Sequence, residues 1–286
     1  MQYFFVTGCP KSGTTWLQKT LDGHPEVVCS GEGAFIERIA SPIASMRQAY
    51  NDHQKLVAER VYGHRSYYKP ISMSDITPAI RLIILSLMNK RAYDGVLAIG
   101  DKTPRHNFFL LGLDSLFPEA KFINIVRHPY DVAVSKLFHA SRAGYEDALE
   151  AGSASREEMV EQAAKDWAIA QQRVADFKQK HPGRMIEVKY EKLLEQPVEE
   201  ATKLFKHLGV SLDQDIVKAA VDAASFENLS GGRSPGAEDP KSFFRKGIAG
   251  DWKNQFEPAM TQLVDLHCLQ IMKRYGYETG KAAEAK

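Results

Sequence analysis

A glycine-bounded turn near the N-terminus is the segment most clearly suited to chemistry. A short apolar run leads into the sequence GCPKSGTTW at residues 8–16. A loop of this kind binds an anion with backbone N–H groups at the start of a helix. Gly8 and Gly13 keep the spacing of the nucleoside-triphosphate loop G-x-x-x-x-G-K-[ST], but Thr14 follows where that loop has its lysine. The lysine is Lys11 instead, which predicts an anion other than the β- and γ-phosphates of ATP.

The side chains of this loop could complete an anion site. Gly13 allows the backbone to approach a ligand closely, and the hydroxyls of Ser12, Thr14 and Thr15 are hydrogen-bond donors. Trp16 follows on the first turn of the predicted helix, where its ring could pack against a base.

A second segment, FINIVRHPYDVAVS at residues 122–135, has an apolar strand that ends at Arg127. Arginine suits bidentate binding of phosphate. A helix is expected to begin near Pro129, which places Ser135 about two turns along it. The loop must therefore fold back if Arg127 and Ser135 are to share a ligand.

A third segment, FRKGIAGDWKN at residues 244–254, places two adjacent cations before a glycine. Arg245 and Lys246 could bind a phosphate through their side chains, while the backbone at Gly247 adds N–H groups.

The elements that must position these residues alternate along the chain. Short apolar runs that end in polar residues are separated by helical patterns, which predicts an α/β fold with a central parallel sheet flanked by helices. The runs are residues 4–7, 96–100, 121–126 and 185–189. Ligand sites in such sheets form at the carboxyl ends of the strands. The polar residues expected to converge in one crevice are Lys11, Asp101, Lys102, Arg127 and Tyr190.

Helical periodicity and capping residues predict five clear helices. They cover residues 14–22, 77–88, 159–180, 198–208 and 260–275. Two stretches rich in Gly, Ser, Pro or charge, residues 141–158 and 228–242, are expected to be loops, and the second is expected to be a nucleotide-ordered lid. Without an internal repeat or linker, we expect one domain over residues 1–280 and a frayed C-terminal tail over residues 281–286.

Composition narrows the classes of protein. The net charge of the 286 residues is +1, which argues against a protein that coats nucleic acid. No apolar run reaches the length of a membrane span, and the chain begins inside a predicted strand, so neither a membrane span nor a signal peptide is expected. The three cysteines are odd in number and far apart, which indicates a cytoplasmic location without disulfides or a cysteine-based metal site.

Taken together and in this order, the three segments resemble the sulfotransferases that use 3′-phosphoadenosine 5′-phosphosulfate (PAPS). Residues 10–16 look like the 5′-phosphosulfate loop of that family, and residues 245–254 are similar to the C-terminal signature of its cytosolic branch. The resemblance assigns Arg127 and Ser135 to the 3′-phosphate. It implies the sulfotransferase fold, PAPS as co-substrate, 3′,5′-bisphosphoadenosine (PAP) as product, no metal, and a small-molecule hydroxyl or amine acceptor.

The resemblance also implies the contacts with adenine. Trp16 and Phe226 would supply the two aromatic faces, and Tyr190 would contact the adenine edge. The threonine that the family commonly has two positions before the phenylalanine is Ala224 in this chain.

Sulfuryl transfer in line between two oxygens requires positioning, charge stabilisation and a general base. Lys11 is expected to stabilise the bridging oxygen of the leaving group, and Lys102 the sulfuryl oxygens. The cytosolic branch has a histidine directly after Lys-Thr, whereas this chain has Pro104 there and His106 two residues later.

The general base therefore has three candidates. Residues 24–32 resemble a segment of the tyrosylprotein sulfotransferases that carries a catalytic glutamate, which here is Glu32. We rank Glu32 first, His106 second and Asp101 third.

Two other functions remain open from the residues. One is a P-loop kinase that uses Mg²⁺ and ATP, because the glycine spacing is kept and an apolar strand ends at Asp101. The other is a nucleotide-binding protein without catalysis. The acceptor is expected to contact residues 33–94, but its identity and the oligomeric state are not determined.

Overall fold

Five parallel strands form the centre of the protein, as expected from the alternating pattern. The computed structural model describes residues 1–280, apart from the side chain of Glu146, so the tail predicted over residues 281–286 lies outside the described residues. The strand order is β2-β3-β1-β4-β5. The strands are β1 (Gln2–Gly8), β2 (Val27–Gly31), β3 (Ala98–Lys102), β4 (Lys121–Val126) and β5 (Met185–Lys189).

Helices cover both faces of the sheet, and the chain forms a single α/β domain. One core cluster lies on each face of the sheet, and a third lies beside it. The helices are α1 (Thr14–Asp22), α2 (Ser41–Arg60), α3 (Met73–Met88), α4 (Leu110–Leu116), α5 (Pro129–Arg142), α6 (Ala154–Lys180), α7 (Tyr190–Glu195), α8 (Pro197–Leu208), α9 (Gln214–Ala223), α10 (Phe226–Ser230) and α11 (Pro258–Tyr275). A π-helical turn (Ile36–Ala40) leads into α2.

The register of the strands aligns the carboxyl ends of β1, β2, β3 and β4, after which the candidate site residues follow. Lys102 of β3 pairs with Gly31 of β2 and with Val6 of β1. On the other side of β1, Gly8 pairs with Ile125 of β4. The residues that follow these strands therefore meet at one edge of the sheet, where ligands bind in open α/β sheets.

The helix predicted over residues 77–88 begins earlier than expected. It begins at Met73, because Ser72 and Asp75 form its capping box, and Pro78 therefore lies inside the helix.

Other elements also differ from the expectations. Strand β2 was not predicted, because it is a five-residue edge strand in which only three residues are buried. Helix α2 was also missed, because Ala58 is the one buried residue that it contributes and it therefore lacks an apolar stripe. Helix α6 begins at Ala154, so the predicted loop 141–158 is shorter than expected.

Helix α3 is seated on the sheet through one apolar face. Ile84 is fully buried in the core below β3, whereas Leu82 on the same helix is 69% exposed. We expect Ile84→Ala to lower the free energy of unfolding by about 2–5 kcal/mol, because it leaves a cavity. Leu82→Ala is the matched control and should change it by less than about 0.5 kcal/mol. Urea denaturation of both variants measures the difference, and equal losses would contradict this packing.

Candidate active site

The turn between β1 and α1 forms an anion cradle. Gly13 precedes the helix in a left-handed conformation with φ of 91°, and Lys11 is also left-handed with φ of 77°. In the described part of the chain, no side chain caps α1 and no acidic residue lies in its first turn. Its first N–H groups and the positive end of its dipole therefore remain available to an anion.

Gly13 is required here for space as well as for conformation. A Cβ atom at this position would lie 2.6 Å from Cδ2 of Tyr190, so the backbone of the turn rests directly on that ring. The Tyr190 ring in turn meets Trp16 edge-on, with 5.5 Å between the ring centroids. The cradle and two residues expected to contact adenine are thus packed into one unit.

Ser12 is placed differently from the other hydroxyl residues of the loop. Its side chain is fully buried and, within residues 1–280, its Oγ has no hydrogen-bond partner. Its backbone N–H donates to the carbonyl of Cys9 at 3.0 Å. Thr15, by contrast, is half-buried on the first turn of α1, and its Oγ1 accepts a hydrogen bond from Lys102 Nζ at 3.3 Å.

Cations are concentrated beside the cradle. Burial, together with the nearby charges of Arg142 and Lys102, lowers the pKa of Lys11 to about 8, and Glu32 opposes this shift. The amine of Lys11 lies 5.3 Å from the centre of the Phe243 ring. Like charges that are held this close to one another favour the arrival of an anion.

Lys102 joins the cradle to a carboxylate. Its side chain is 3% exposed, and its Nζ lies 2.7 Å from Oε1 of Glu32 and close to Thr15. Glu32 is 65% exposed, so its carboxylate reaches solvent while it is held beside a buried cation. A carboxylate in this position could accept a proton from a bound molecule.

The turn that carries Glu32 is held by the end of β3. The backbone N–H of Glu32 donates to the Lys102 carbonyl at 2.6 Å, and that of Gly33 donates to Asp101 Oδ2 at 2.9 Å. The N–H of Ala34 donates to Thr103 Oγ1 at 3.1 Å. Glu32 and Ala34 are both left-handed, with φ of 57° and 46°. Such strain in non-glycine residues persists only where the surroundings impose it, and it is concentrated at functional sites.

His106 and Asp101 lie behind this turn. His106 is 1% exposed, and its Nε2 lies 2.8 Å from Oδ1 of Asp101. Its ring meets Phe5 edge-on at 5.4 Å, inside the core. His106 and Asp101 therefore support the Glu32 turn through the hydrogen bond that the N–H of Gly33 donates to Asp101.

Arg127 lies at the end of β4, next to the cradle. Its Nη1 donates to the carbonyl of Lys11 at 3.2 Å, and its Nη2 donates to the carbonyl of Ile248 at 3.1 Å. The guanidinium carbon lies 4.3 Å from the centre of the Tyr190 ring. The polar residues that follow β1, β3, β4 and β5 thus converge as expected.

Asp131, which was not among the predicted site residues, connects α5 to the C-terminal signature. Its carboxylate is 1% exposed and accepts from the N–H groups of Gly250 at 2.7 Å and Trp252 at 3.0 Å. It occupies the first turn of α5, one turn before Ser135, which is half-buried. The sequence signal that could have identified Asp131 as a site residue is its position four residues after Arg127.

Arg245 and Lys246 are held by carboxylates. Both donate to the buried Asp251, Lys246 at 2.6 Å, and both also pair with Glu238. The hydrogen bond to Asp251 raises the pKa of Lys246. Arg245 also lies 4.2 Å from the ring of Phe138 on α5, which brings this segment to the same helix as Ser135.

Phe226 packs against the same segment. A Cβ atom at Gly247 would lie 2.3 Å from Cδ2 of Phe226, and Arg233 lies over the ring at 5.4 Å. Arg233 also donates to carbonyls within residues 237–245 and so closes the loop that we expected to be a lid. The response of this loop to nucleotide stays a prediction.

The region expected to meet the acceptor is only partly available to a ligand. Ile80, Ile84 and Met88 of α3 belong to the buried core, so the apolar stripe noted in the sequence packs against the sheet. Tyr67 and Tyr68, in contrast, are 75% and 65% exposed.

Comparisons with known proteins agree with this architecture. The sulfotransferase family matches residues 4–214, about three quarters of the chain, and the chain belongs to that family. A provisionally named protein-tyrosine sulfotransferase of Caenorhabditis briggsae is 25% identical over 219 residues, which cover 76% of this chain and 68% of the relative. Cytosolic sulfotransferase 6 of Arabidopsis thaliana is 34% identical over 108 residues, but the chain spans only about a third of its length (32%).

Among solved structures, a mouse sulfotransferase (SULT7A1) complexed with PAP shares the fold. Its TM-score is 0.59 at 19% identity, and the match covers 95% of this chain and 84% of the mouse chain. The resemblance drawn from the motifs is thereby confirmed for the family and for the fold. The kinase alternative finds no support, because the matched family is that of the sulfotransferases.

Residues 1–280 contain neither of two other features, a membrane-spanning helix and a cluster of metal-binding side chains. No helix in this part of the chain combines the length and the apolar character that a membrane crossing requires. Within the same range, no three His, Cys, Asp or Glu side chains are grouped closely enough to bind a metal ion.

The low pKa of Lys11 predicts a pH dependence for anion binding. PAP should bind the protonated amine, so its affinity should be highest near pH 7, where the phosphates are also ionised, and fall as the free amine loses its proton above about pH 8. The loss should not exceed roughly tenfold for each further pH unit, which is the limit for one proton. Titration calorimetry from pH 6.5 to 10 measures it.

Lys11→Arg is the control, because arginine keeps its charge throughout this range. Its affinity for PAP should not fall above pH 8. The assignment would be wrong if the wild type and Lys11→Arg showed the same slope.

Proposed function

We propose that this protein transfers a sulfuryl group from PAPS to a hydroxyl group of a small molecule and releases PAP. The observation that carries the proposal is the meeting of Lys11, Lys102 and Glu32 at the uncapped start of α1. Family membership supports the reaction class, and the PAP complex of the mouse neighbour supports the nucleotide.

The residues fit a phosphosulfate. A phosphosulfate is an anion that N–H donors and cations can hold, and the cradle supplies N–H groups at the start of α1 beside two amines. Lys11, Gly13, Thr14 and Thr15 would hold the 5′ end, together with Lys102. When bound, PAPS supplies an activated sulfuryl group, and no metal is proposed for the reaction.

The far end of the nucleotide would be held by the segments around α5. We assign the 3′-phosphate to Arg127 and Ser135, with Arg245, Lys246 and the backbone at Gly247. The pairing of Arg245 and Lys246 with Asp251 keeps both cations in place beside α5. Trp16, Tyr190 and Phe226 are assigned to adenine.

Glu32 is the general base in this proposal. It would accept the proton of the acceptor hydroxyl while the acceptor oxygen forms its bond to sulfur and the bond from sulfur to the phosphate oxygen breaks. Lys102 holds the carboxylate in position at 2.7 Å, and Lys11 stabilises the charge that develops on the leaving oxygen. His106 has no comparable access, since it is 1% exposed and bonded to Asp101.

The acceptor is proposed to be a small molecule that enters beside the Glu32 turn. The exposed carboxylate of Glu32 supports entry from that side. We also propose a cytoplasmic location, which is supported by the three cysteines, all of which are free and buried.

Nucleotide binding tests the class of reaction. PAP should stabilise the protein against thermal unfolding without Mg²⁺, by about 2.7 kcal/mol when free PAP exceeds its dissociation constant a hundredfold. ATP with Mg²⁺ should give no comparable shift. The reverse pattern, together with no transfer from labelled PAPS in a screen of hydroxyl compounds, would overturn the proposal.

The base is tested by substitution. Glu32→Gln should lower turnover by roughly 10²-fold or more while PAP affinity stays nearly unchanged, because the amide keeps the shape but cannot accept the proton. Glu37→Gln is the matched control, since Glu37 lies in the π-helical turn that follows Glu32 and also pairs with a cation, Arg105, at 3.5 Å. An active Glu32→Gln enzyme beside an inactive, folded His106→Asn enzyme would assign the base to His106.

A further inference from the structure

The peptide group that follows Arg127 is held from both sides. Its carbonyl, which belongs to Arg127, accepts from Nε1 of the fully buried Trp167 at 3.0 Å. Its N–H, which belongs to His128, donates to Oε1 of Glu191 at 2.9 Å. These two bonds fix the backbone plane next to the arginine, and with it the direction in which that side chain leaves the strand.

Glu191 connects two loops of the site. It follows Tyr190 at the end of β5, while His128 follows Arg127 at the end of β4. Its other oxygen, Oε2, accepts from the hydroxyl of Tyr277 at 3.0 Å. One carboxylate thus links the segment of Arg127, the segment of Tyr190 and the chain beyond α11.

The segment Tyr277–Gly280 is itself anchored to the same place. His128 Nε2 lies 3.0 Å from the carbonyl of Glu278, and the N–H of Gly280 donates to the hydroxyl of Tyr130 at 2.8 Å. Tyr277 also packs against the His128 ring, with 4.9 Å between the centroids. The C-terminal segment therefore supports the Arg127 loop from outside the nucleotide cleft.

The protonation states of His128 and Tyr277 agree with the hydrogen bonds that hold the Arg127 loop. Nδ1 of His128 accepts from the N–H of Tyr130 at 3.3 Å, so the proton resides on Nε2, where it is donated to the Glu278 carbonyl. Burial holds the pKa of His128 well below its ordinary value and raises that of the Tyr277 hydroxyl, which stays a donor to Glu191.

We propose that Glu191, held in place by Tyr277, is a positioning residue for recognition of the nucleotide 3′-phosphate. This inference rests on the proposed function, in which Arg127 binds that phosphate. Arg127 can bind well only if its loop is already ordered, because ordering it at the moment of binding would cost affinity. Loss of the Glu191 contact should therefore weaken the binding of ligands that carry a 3′-phosphate and leave the binding of ligands that lack it unchanged.

A purely structural role predicts a different result. Loss of a buried hydrogen bond would then lower stability and weaken all adenine nucleotides alike. The informative quantity is therefore the ratio of the dissociation constant of 5′-AMP, which lacks the 3′-phosphate, to that of PAP. A general loss of stability does not change this ratio.

The test compares Tyr277→Phe with Tyr275→Phe. Tyr275 is a matched control, because its hydroxyl also donates to a carboxylate, that of Glu187, and lies 3.2 Å from Gln171. Calorimetric titrations with PAP and 5′-AMP should show the ratio reduced roughly three- to tenfold in Tyr277→Phe, the worth of one hydrogen bond, and unchanged in Tyr275→Phe.

A second variant keeps the inference testable if Tyr277→Phe folds poorly. Glu191→Ala removes both bonds of the carboxylate and should reduce the ratio at least as much. Adding Tyr277→Phe to Glu191→Ala should then have no further effect, because the two residues act through one contact.

The outcomes separate the two hypotheses. A wild-type protein that does not prefer PAP over 5′-AMP would overturn the assignment of Arg127 in the proposed function. A wild-type preference that is unchanged in Tyr277→Phe and in Glu191→Ala would leave that assignment standing and overturn the positioning role.

Discussion

The concentration of positive charge at the carboxyl edge of the sheet is the constraint on which the rest of the site depends. Burial and the nearby charges of Arg142 and Lys102 together lower the pKa of the Lys11 amine to about 8. Repulsion of this kind opposes folding, and the chain offsets it with carboxylates placed among the cations. Glu32 pairs with Lys102, while Asp251 and Glu238 pair with Arg245 and Lys246. These ion pairs hold Lys102, Arg245 and Lys246 at the edge of the sheet.

The end of β3 has a structural role at this edge that is separate from its charge. Three successive residues, Asp101, Lys102 and Thr103, accept hydrogen bonds from the backbone of the turn at Glu32. The left-handed conformations of Glu32 and Ala34 are maintained by these bonds. The strand thus supplies both the cation that holds the Glu32 side chain and the acceptors that hold its backbone, and this couples the position of the carboxylate to that of the cradle.

Several strands and helices could be predicted from the amino-acid order, because they depend on local patterns. Strands β4 and β5 and helix α1 have the predicted bounds, since continuous apolar runs and a glycine before a hydroxyl-rich turn are local signals. The edge strand β2 and the exposed helix α2 escaped prediction for the opposite reason. The buried run of β2 is only three residues long and α2 buries only Ala58, so neither leaves a clear periodic pattern in the sequence.

The sequence by itself determined the anion loop, the parallel sheet and the family, because these depend on residue types at short spacings. It ranked Glu32 above His106 as the general base only through a resemblance, because exposure cannot be read from the order of the residues. Only the tertiary structure shows how differently the two side chains are exposed, since His106 is buried against Phe5 and bonded to Asp101, while Glu32 is exposed and pairs with Lys102. The contact of Glu191 with Tyr277 likewise joins residues 86 positions apart, and such pairs are set by the packing of α11 beside the sheet.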